Sequence, residues 1–490
     1  MSRWWLWWFC IFGPGSFIKL WGLSAQSLWY DEAFTALVAA LPLDRLLAAT
    51  AGDVHPPLWY LVEKFVVLAV GNNAIALRLP SAAFGILNIW LTLQVGKRLA
   101  GDQAGVLASA LMAFAPFQLY YSQEARMYEM LQALVLSGAW AVLARRWYLL
   151  GLAGAGTVGL YTHNLMAIYL VILWLVGAGR GLAAQGRRAF LEGEDVVGLI
   201  QTPVLIALLY SPWAWGSLRQ QVSDVANGFW IPQVSLGAVA LAFHQLIFSF
   251  VLPAWAESHG ALLAFILLGL ATWRGINSRL WSVLALAFGP VLLSAGVSLA
   301  WKPIFLHRTL IGAAPFLYLL IGHLLERLPL RRALVAGGSL GSILLIGLIQ
   351  YQCFPTEIRP DMAAEAQIIR EQWRDGDVLF HMNLSSYILY SYYLPDLPAY
   401  LWPQANDLSQ SLTDETKSAL GIRQSEIWDI PANQPGRIWL IWVDNPHISQ
   451  AEVAAARVAL AWGRNPSLVE TIRDDELVTA KVWLLEAKAK

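Results

Sequence analysis

Trp29-Tyr30-Asp31-Glu32 comes directly after the first long apolar segment of the chain and places two acids at its end. His55-Pro56-Pro57-Leu58-Trp59-Tyr60 follows, and Tyr121-Ser122-Gln123-Glu124-Ala125-Arg126-Met127-Tyr128 stands between two later apolar segments. Ionisable groups beside a bilayer are costly and usually functional. The three stretches therefore predict a membrane protein with an active site at one membrane surface.

The composition agrees with a membrane protein. Of the 490 residues, 57% are hydrophobic and 13% are charged, about half the charged share of an ordinary soluble protein. The 25 Trp and 16 Tyr suit the aromatic belts at membrane interfaces. The formal net charge is +0, so we expect no nucleic-acid partner.

Eleven apolar segments are predicted as membrane-spanning helices, although 260–274 is short for a span. They are 4–24, 78–97, 103–120, 127–144, 147–162, 164–179, 197–215, 260–274, 280–299, 309–326 and 333–351. Alternate turns are basic, which places them in the cytoplasm by the positive-inside rule. This predicts a multi-pass protein of the bacterial cytoplasmic membrane with a cytoplasmic N-terminus. The apolar segment 234–252 is predicted as a helix along the outer face, because a further span there would put the later basic turns outside.

The chain divides by composition into two predicted domains. Residues 1–352 form the membrane domain, with an outer loop at 30–77 that carries juxtamembrane helices, and residues 353–490 form an extracytoplasmic tail. Charged residues become common in the tail. Its patterns predict strands at 377–380, 437–443 and 482–485 and helices at 361–374 and 449–463. Alternating strands and helices indicate a small α/β domain.

Asp31 and Glu32 are the candidate catalytic residues. Adjacent residues on a helix point about 100° apart, so both carboxylates cannot face one ligand equally. Asp31 is the first acid after the span, and partial desolvation beside lipid would raise its basicity, so it is the candidate general base. The alternative is structural, with Asp31 capping a helix and Glu32 favouring its dipole.

Glu124, Arg126 and Tyr128 are candidates for substrate binding at the end of another span. The planar guanidinium of arginine bonds two phosphate oxygens at once, and Tyr128 could donate a hydrogen bond to the same ligand. A local salt bridge or an interfacial arginine is the structural alternative for Glu124 and Arg126.

Lys302, His307 and Arg308 stand before the tenth predicted span, on the same predicted side of the membrane. Lys302 and Arg308 could both reach an anionic lipid headgroup. Ordinary anchoring of a helix end is the alternative.

His55 is a candidate ligand for a phosphate or a metal, or it is an interfacial histidine. The sequence has no HExxH and no CxxC motif, and His163 and His244 are isolated. A divalent metal is thus a candidate cofactor without an assigned site. The sequence also has no P-loop or dinucleotide fingerprint, so a nucleotide is not expected as the direct donor.

In combination, these motifs resemble the C-type membrane glycosyltransferases, in particular the protein O-mannosyltransferase and lipid A aminoarabinose transferase group, family 39 and its neighbours. The resemblance covers roughly residues 25–320. It implies that a sugar passes from a polyprenyl-phosphate carrier to an acceptor protein, lipid or glycan outside the membrane, with inversion. Asp31 matches the catalytic acidic position, and Arg126 and Arg308 match positions near the lipid phosphate. His55 departs from an acidic residue or lysine found there in some members.

Two other functions are compatible with a polytopic chain of this kind. A polyprenyl-linked glycan ligase or polymerase usually relies on arginines and a histidine in a late outer loop, whereas the ionisable motifs here come early. A lipid or sugar transporter places polar groups near the bilayer midplane and often shows internal repeats. This chain has its motifs at the ends of the spans and no internal repeat, so the sequence favours the transferase.

Overall fold

The computed structural model describes most of the chain, in ten stretches. They are 4–144, 148–187, 194–218, 221–222, 231–278, 280–402, 412–425, 436–444, 465–472 and 479–486. The chain forms two compact units. The first consists of Met1–Leu23, Val54–Val62 and Arg78–Cys353, and the second of Ser24–Asp53, Glu63–Leu77 and Phe354–Lys490.

The apolar part of the chain is helical, because a segment in lipid must pair its own backbone polar groups. The first helix runs as Trp4–Trp7 and Gly13–Leu20, joined by a π-helical turn at Trp8–Phe12. The helices that follow are Ala74–Ala100, Asp102–Phe114, Pro116–Ser122, Tyr128–Ala144, Tyr148–Thr162, Met166–Gln185, Glu194–Trp213, Leu236–Phe248, Ala254–Asn277, Trp281–Ala300, Ala314–Arg327 and Leu330–Cys353. The described residues of the eleven predicted spans are mostly helical.

The helices confirm a polytopic α-helical membrane protein. Within the described residues, seven are long and apolar enough to cross a membrane, and an eighth span results if Asp102–Phe114 and Pro116–Ser122 count as one. These two helices are bent by 56°, because Pro116 lacks an N–H and pushes Ala115 into an extended conformation. The predicted outer-face segment 234–252 forms a helix of 13 residues, shorter than the about 20 that a span needs.

The second unit contains a five-stranded sheet. Its strands are β1 Val378–His381, β2 Ala399–Leu401, β3 Ile438–Asp444, β4 Asn465–Ile472 and β5 Thr479–Glu486, in the order β2-β1-β3-β5-β4. β1 is parallel to β2 and β3, whereas β5 is antiparallel to β3 and β4. β1 is buried along its whole length, as expected for a strand between two parallel neighbours.

Helices from the loop and the tail complete the second unit. They are Tyr30–Ala40, Leu43–Ala51, the part of Leu58–Val70 from Glu63 onward, Pro355–Ile358, Met362–Gln372, Leu384–Tyr393 and Asp414–Leu420. The three predicted strands are confirmed as β1, β3 and β5, and the predicted helix 361–374 as Met362–Gln372. The predicted helix 449–463 lies outside the described residues. The small α/β domain is thus confirmed by its sheet.

A buried carboxylate joins the starts of the neighbouring strands β1 and β3. Asp377 is 1% exposed. It accepts hydrogen bonds from Nη2 of Arg437 at 2.8 Å, from the Arg437 backbone N–H at 2.8 Å and from Nε1 of Trp439 at 3.0 Å. Burial opposes the charge, but these hydrogen bonds outweigh it and hold the pKa of Asp377 below its usual value.

Asp377→Asn should destabilise the second unit by about 3–5 kcal/mol, because it leaves a buried guanidinium without its counter-charge. Since the folded-state pKa is lowered, the contribution of Asp377 is present at neutral pH and is lost as the pH falls below about 4. Thermal unfolding of wild type and variant should therefore differ at pH 7 and converge at acidic pH.

Asp396→Asn is the matched control. Asp396 pairs with Arg370 at 2.7 Å, but its side chain is 58% exposed, and exposed ion pairs contribute little. Equal unfolding temperatures for Asp377→Asn and wild type at pH 7 would contradict the structural role of the buried pair.

Candidate functional site

Arg126 lies in the turn between the helices Pro116–Ser122 and Tyr128–Ala144, and its side chain is 2% exposed. The turn begins where Gln123 leaves the helical conformation. The side-chain amide of Gln123 donates to three carbonyls at the end of the first helix, those of Ile18 at 3.1 Å, Lys19 at 3.2 Å and Trp21 at 2.6 Å. Gln123 therefore caps one helix and fixes the start of the Arg126 turn.

Three more side chains hold the backbone of this turn from the other side. Ser81 Oγ donates to the Arg126 carbonyl at 3.1 Å, and Trp59 Nε1 donates to the Ala125 carbonyl at 3.4 Å. Asn88 Nδ2 donates to the Glu129 carbonyl at 3.0 Å. A buried turn needs such partners for its polar backbone groups. The backbone that carries Arg126 is consequently fixed.

The guanidinium of Arg126 faces an imidazole and a phenol. Its Nη2 lies 3.4 Å from Nε2 of His55, and its Nη1 donates to the Tyr60 hydroxyl at 3.5 Å. The His55 ring packs edge-on against the ring of His163, with centroids 5.5 Å apart. The loop before the helix Leu58–Val70 and the turn after Thr162 thus meet at Arg126.

Arg308 joins the same group through Tyr128. Its guanidinium lies 5.8 Å from the centre of the Tyr128 ring, and that ring lies 6.3 Å from the ring of His163. Next to it, Nε2 of His307 lies 3.2 Å from the Tyr121 hydroxyl. Five basic side chains are therefore collected here, and we call them the basic cluster: His55, Arg126, His163, His307 and Arg308.

The electrostatics of the basic cluster favour a negatively charged ligand. His163 is buried, and its pKa is well below the usual value, first because of burial and then because of His55, Arg126 and Arg308. Its imidazole is therefore neutral at neutral pH, while the two arginines keep their charge. Two guanidiniums beside neutral rings match the oxygens of a phosphate.

A metal ion fits this group poorly, because guanidiniums stand beside its imidazoles. Among the residues that the structure describes, no group of three or more His, Cys, Asp or Glu is arranged to hold a metal ion. No step is assigned to a metal.

Glu124 and Lys302 are the two remaining predicted binding residues. Glu124 is fully buried two residues before Arg126, within electrostatic range of Tyr121. Lys302 is partly exposed and makes no hydrogen bond or ion pair with any described residue. From the sequence, His163 was only a scattered candidate. Its position at the end of a span, on the same side as the other motifs, was the feature that could have identified it as a site residue.

Asp31 and Glu32 belong to the second unit, in the first turn of the helix Tyr30–Ala40. Trp29 occupies the N-cap position, so Asp31 is not the capping residue that the structural alternative supposed. Asp31 is partly exposed. Glu32 is fully buried and pairs with Arg359, whose Nη1 donates to its Oε2 at 2.8 Å. The two neighbouring acids therefore have different surroundings, and only Glu32 is enclosed.

Known proteins resemble the chain in sequence over a third of its length and in structure over nearly all of it. Residues 54–215 match the family model of the dolichyl-phosphate-mannose-protein mannosyltransferases. No curated protein sequence matches the chain.

Two crystal structures of ArnT from Cupriavidus metallidurans have a similar fold. The structure bound to undecaprenyl phosphate has a TM-score of 0.59 and 15% sequence identity, covering 98% of this chain and 98% of that chain. The apo structure has a TM-score of 0.58 and 16% identity, covering 95% of each chain. The chain therefore has the fold of ArnT, and residues 54–215 within it match the mannosyltransferase family model.

Proposed function

We propose that the protein is an inverting glycosyltransferase that moves a sugar from a polyprenyl-phosphate carrier to an acceptor. The acceptor is a protein, lipid or glycan at the extracytoplasmic face of the bacterial cytoplasmic membrane. The observation that carries the proposal is the basic cluster, which brings Arg126 and Arg308 together around buried rings. A similar fold in ArnT holds undecaprenyl phosphate, which supports a lipid phosphate as the ligand.

The basic cluster is proposed to bind the phosphate of the donor lipid. Arg126 and Arg308 supply the charge, while His55, Tyr128 and His307 supply hydrogen-bonding groups at the edge of the site. As the bond to the sugar breaks, negative charge grows on the phosphate oxygen that leaves. Fixed cations aimed at such a developing charge are commonly the largest contribution to catalysis. Glu124 and Lys302 are proposed as further contacts for the donor.

Asp31 is proposed as the general base, on the basis of its place in the sequence motif and its accessible carboxylate. It takes the proton from the acceptor hydroxyl or amine, and the freed lone pair attacks the anomeric carbon. The bond between that carbon and the phosphate oxygen breaks, and the polyprenyl phosphate leaves with the electron pair. A single displacement of this kind inverts the anomeric centre. Glu32 is buried in an ion pair with Arg359, so Asp31 is the acid proposed for this step.

Asp31→Asn should lower kcat by about 10²–10⁴-fold, the usual contribution of a general base. The KM for the donor and the unfolding temperature should stay at wild-type values, because an amide has the same shape as the carboxylate. The measurement is the release of label from a radiolabelled polyprenyl-phosphate sugar mixture.

Asp44→Asn provides the control for this experiment. Asp44 also lies in the first turn of a helix of the second unit, but it is exposed. Its variant should transfer sugar at the wild-type rate. Full activity in Asp31→Asn would exclude Asp31 as the base.

Arg126→Lys should lower kcat/KM for the donor about 10- to 100-fold. Lysine keeps the charge, but it loses the planar pair of donors, and a hydrogen bond to a charged group contributes about 1.5–3 kcal/mol. Steady-state kinetics with the donor varied at saturating acceptor give this number. Arg98→Lys, at the exposed end of the helix Ala74–Ala100, should behave as wild type. Equal kcat/KM for Arg126→Lys and wild type would contradict phosphate binding at the basic cluster.

A further inference from the structure

We propose that Arg359 is a positioning residue of this transferase: its ion pair with Glu32 fixes the helix turn that presents Asp31. The inference rests on the proposed function, since it assigns a role to a residue through the proposed base. It also gives the segment after the last span a part in the reaction.

Both side chains of the ion pair are buried. The side chain of Glu32 is 0% exposed and that of Arg359 is 6% exposed, with a donor–acceptor distance of 2.8 Å. The Arg359 guanidinium also lies 5.6 Å from the centre of the Trp29 ring. Trp29 is the N-cap of the helix, and Glu32 lies in its first turn. Arg359 therefore contacts the residues on both sides of Asp31.

The backbone leading into this helix is held by the same part of the tail. Ser27 Oγ donates to Oδ1 of Asp361 at 2.7 Å and accepts from the Ala363 backbone N–H at 3.1 Å. The Leu28 backbone N–H donates to the Tyr393 hydroxyl at 2.6 Å. Contacts from the tail thus reach residues 27, 28, 29 and 32. Asp31 sits on a segment whose conformation is set by residues more than 300 positions later in the chain.

Glu63 is a second buried carboxyl that interacts electrostatically with Glu32. Its side chain is fully buried, and its carboxylate oxygens have no hydrogen-bond partner among the described residues. Burial first, and then the charge of Glu32, raise the pKa of Glu63 well above its usual value. The positive charge that pairs with Glu32 comes from Arg359.

Loss of the guanidinium would leave the Glu32 charge buried without its partner. An unpaired buried charge is strongly unfavourable, so the first turn would rearrange to bring Glu32 to water. Asp31 is the neighbouring residue in that turn and would move with it. A shift of about 1 Å in a reacting group can cost about 10²-fold in rate. The charge balance at Glu32 therefore controls the position of the base.

The test compares full-length variants in the radiolabelled donor assay, together with their unfolding temperatures. Arg359→Gln should lower kcat about 10- to 100-fold while the KM for the donor stays within about twofold, because the basic cluster is unchanged. Arg359→Lys keeps the charge and should recover most of this loss. The double variant Glu32→Gln/Arg359→Gln removes both charges, and its kcat should exceed that of Arg359→Gln alone, as expected for coupled residues.

Arg370→Gln is the matched control, because Arg370 pairs with an exposed carboxylate in the same tail, and it should keep the wild-type kcat. Wild-type kcat in Arg359→Gln, with Asp31→Asn inactive, would overturn the positioning role and leave the proposed function intact. A double variant no more active than Arg359→Gln would also overturn it, since Glu32 would then be needed for itself. If wild type transfers no sugar from any polyprenyl donor, the proposed function fails and this inference fails with it.

Discussion

The burial of the Arg126 guanidinium is the constraint on which the first unit depends. A cation taken out of water is stable only when hydrogen bonds and charges around it compensate its lost hydration. The turn that carries it is therefore held by side chains from several helices, with Gln123 fastened to the end of the first helix and Ser81 to the Arg126 carbonyl.

Polar groups buried deeper in the same unit brace this turn. Lys19 Nζ donates to the Gln118 carbonyl at 3.0 Å, and Asn88 Nδ2 donates to Oε2 of Glu129 at 2.6 Å. Lys19 and Glu129 are both fully buried, and ionisable groups at such depth persist only when they are paired. Lys19 also accepts through its carbonyl from Gln123. The network thus links the first helix to both helices that flank Arg126.

The sequence allowed the helices to be predicted because a bilayer imposes length and apolarity on every span. The tail strands β3 and β5 were equally visible, since each contains a dense run of Trp, Leu and Val. β2 was missed because it has three residues, and β4 because Pro466 interrupts its pattern. The boundaries of the two domains remain a prediction.

The candidate site could be predicted in its residue types and only partly in its geometry. Arg126 and Arg308 could be identified as candidates because a charged group at the end of a span is energetically costly and usually functional. Their shared contacts through Tyr128 and His163 depend on helix packing, which local patterns do not encode. Arg359 carried no signal, because its partner Glu32 lies 327 positions away and the segment around it has no motif.

The central claim is that a sugar leaves a polyprenyl monophosphate at this membrane protein. The most direct measurement offers purified wild-type protein matched donors, with the same sugar on polyprenyl monophosphate or on polyprenyl diphosphate, and follows both the labelled sugar and the released lipid. We predict transfer from the monophosphate donor alone, with release of polyprenyl phosphate and an inverted anomeric configuration in the product. Transfer from the diphosphate donor alone would indicate a glycan ligase or polymerase. Movement of intact donor across a liposome membrane without bond cleavage would indicate a transporter.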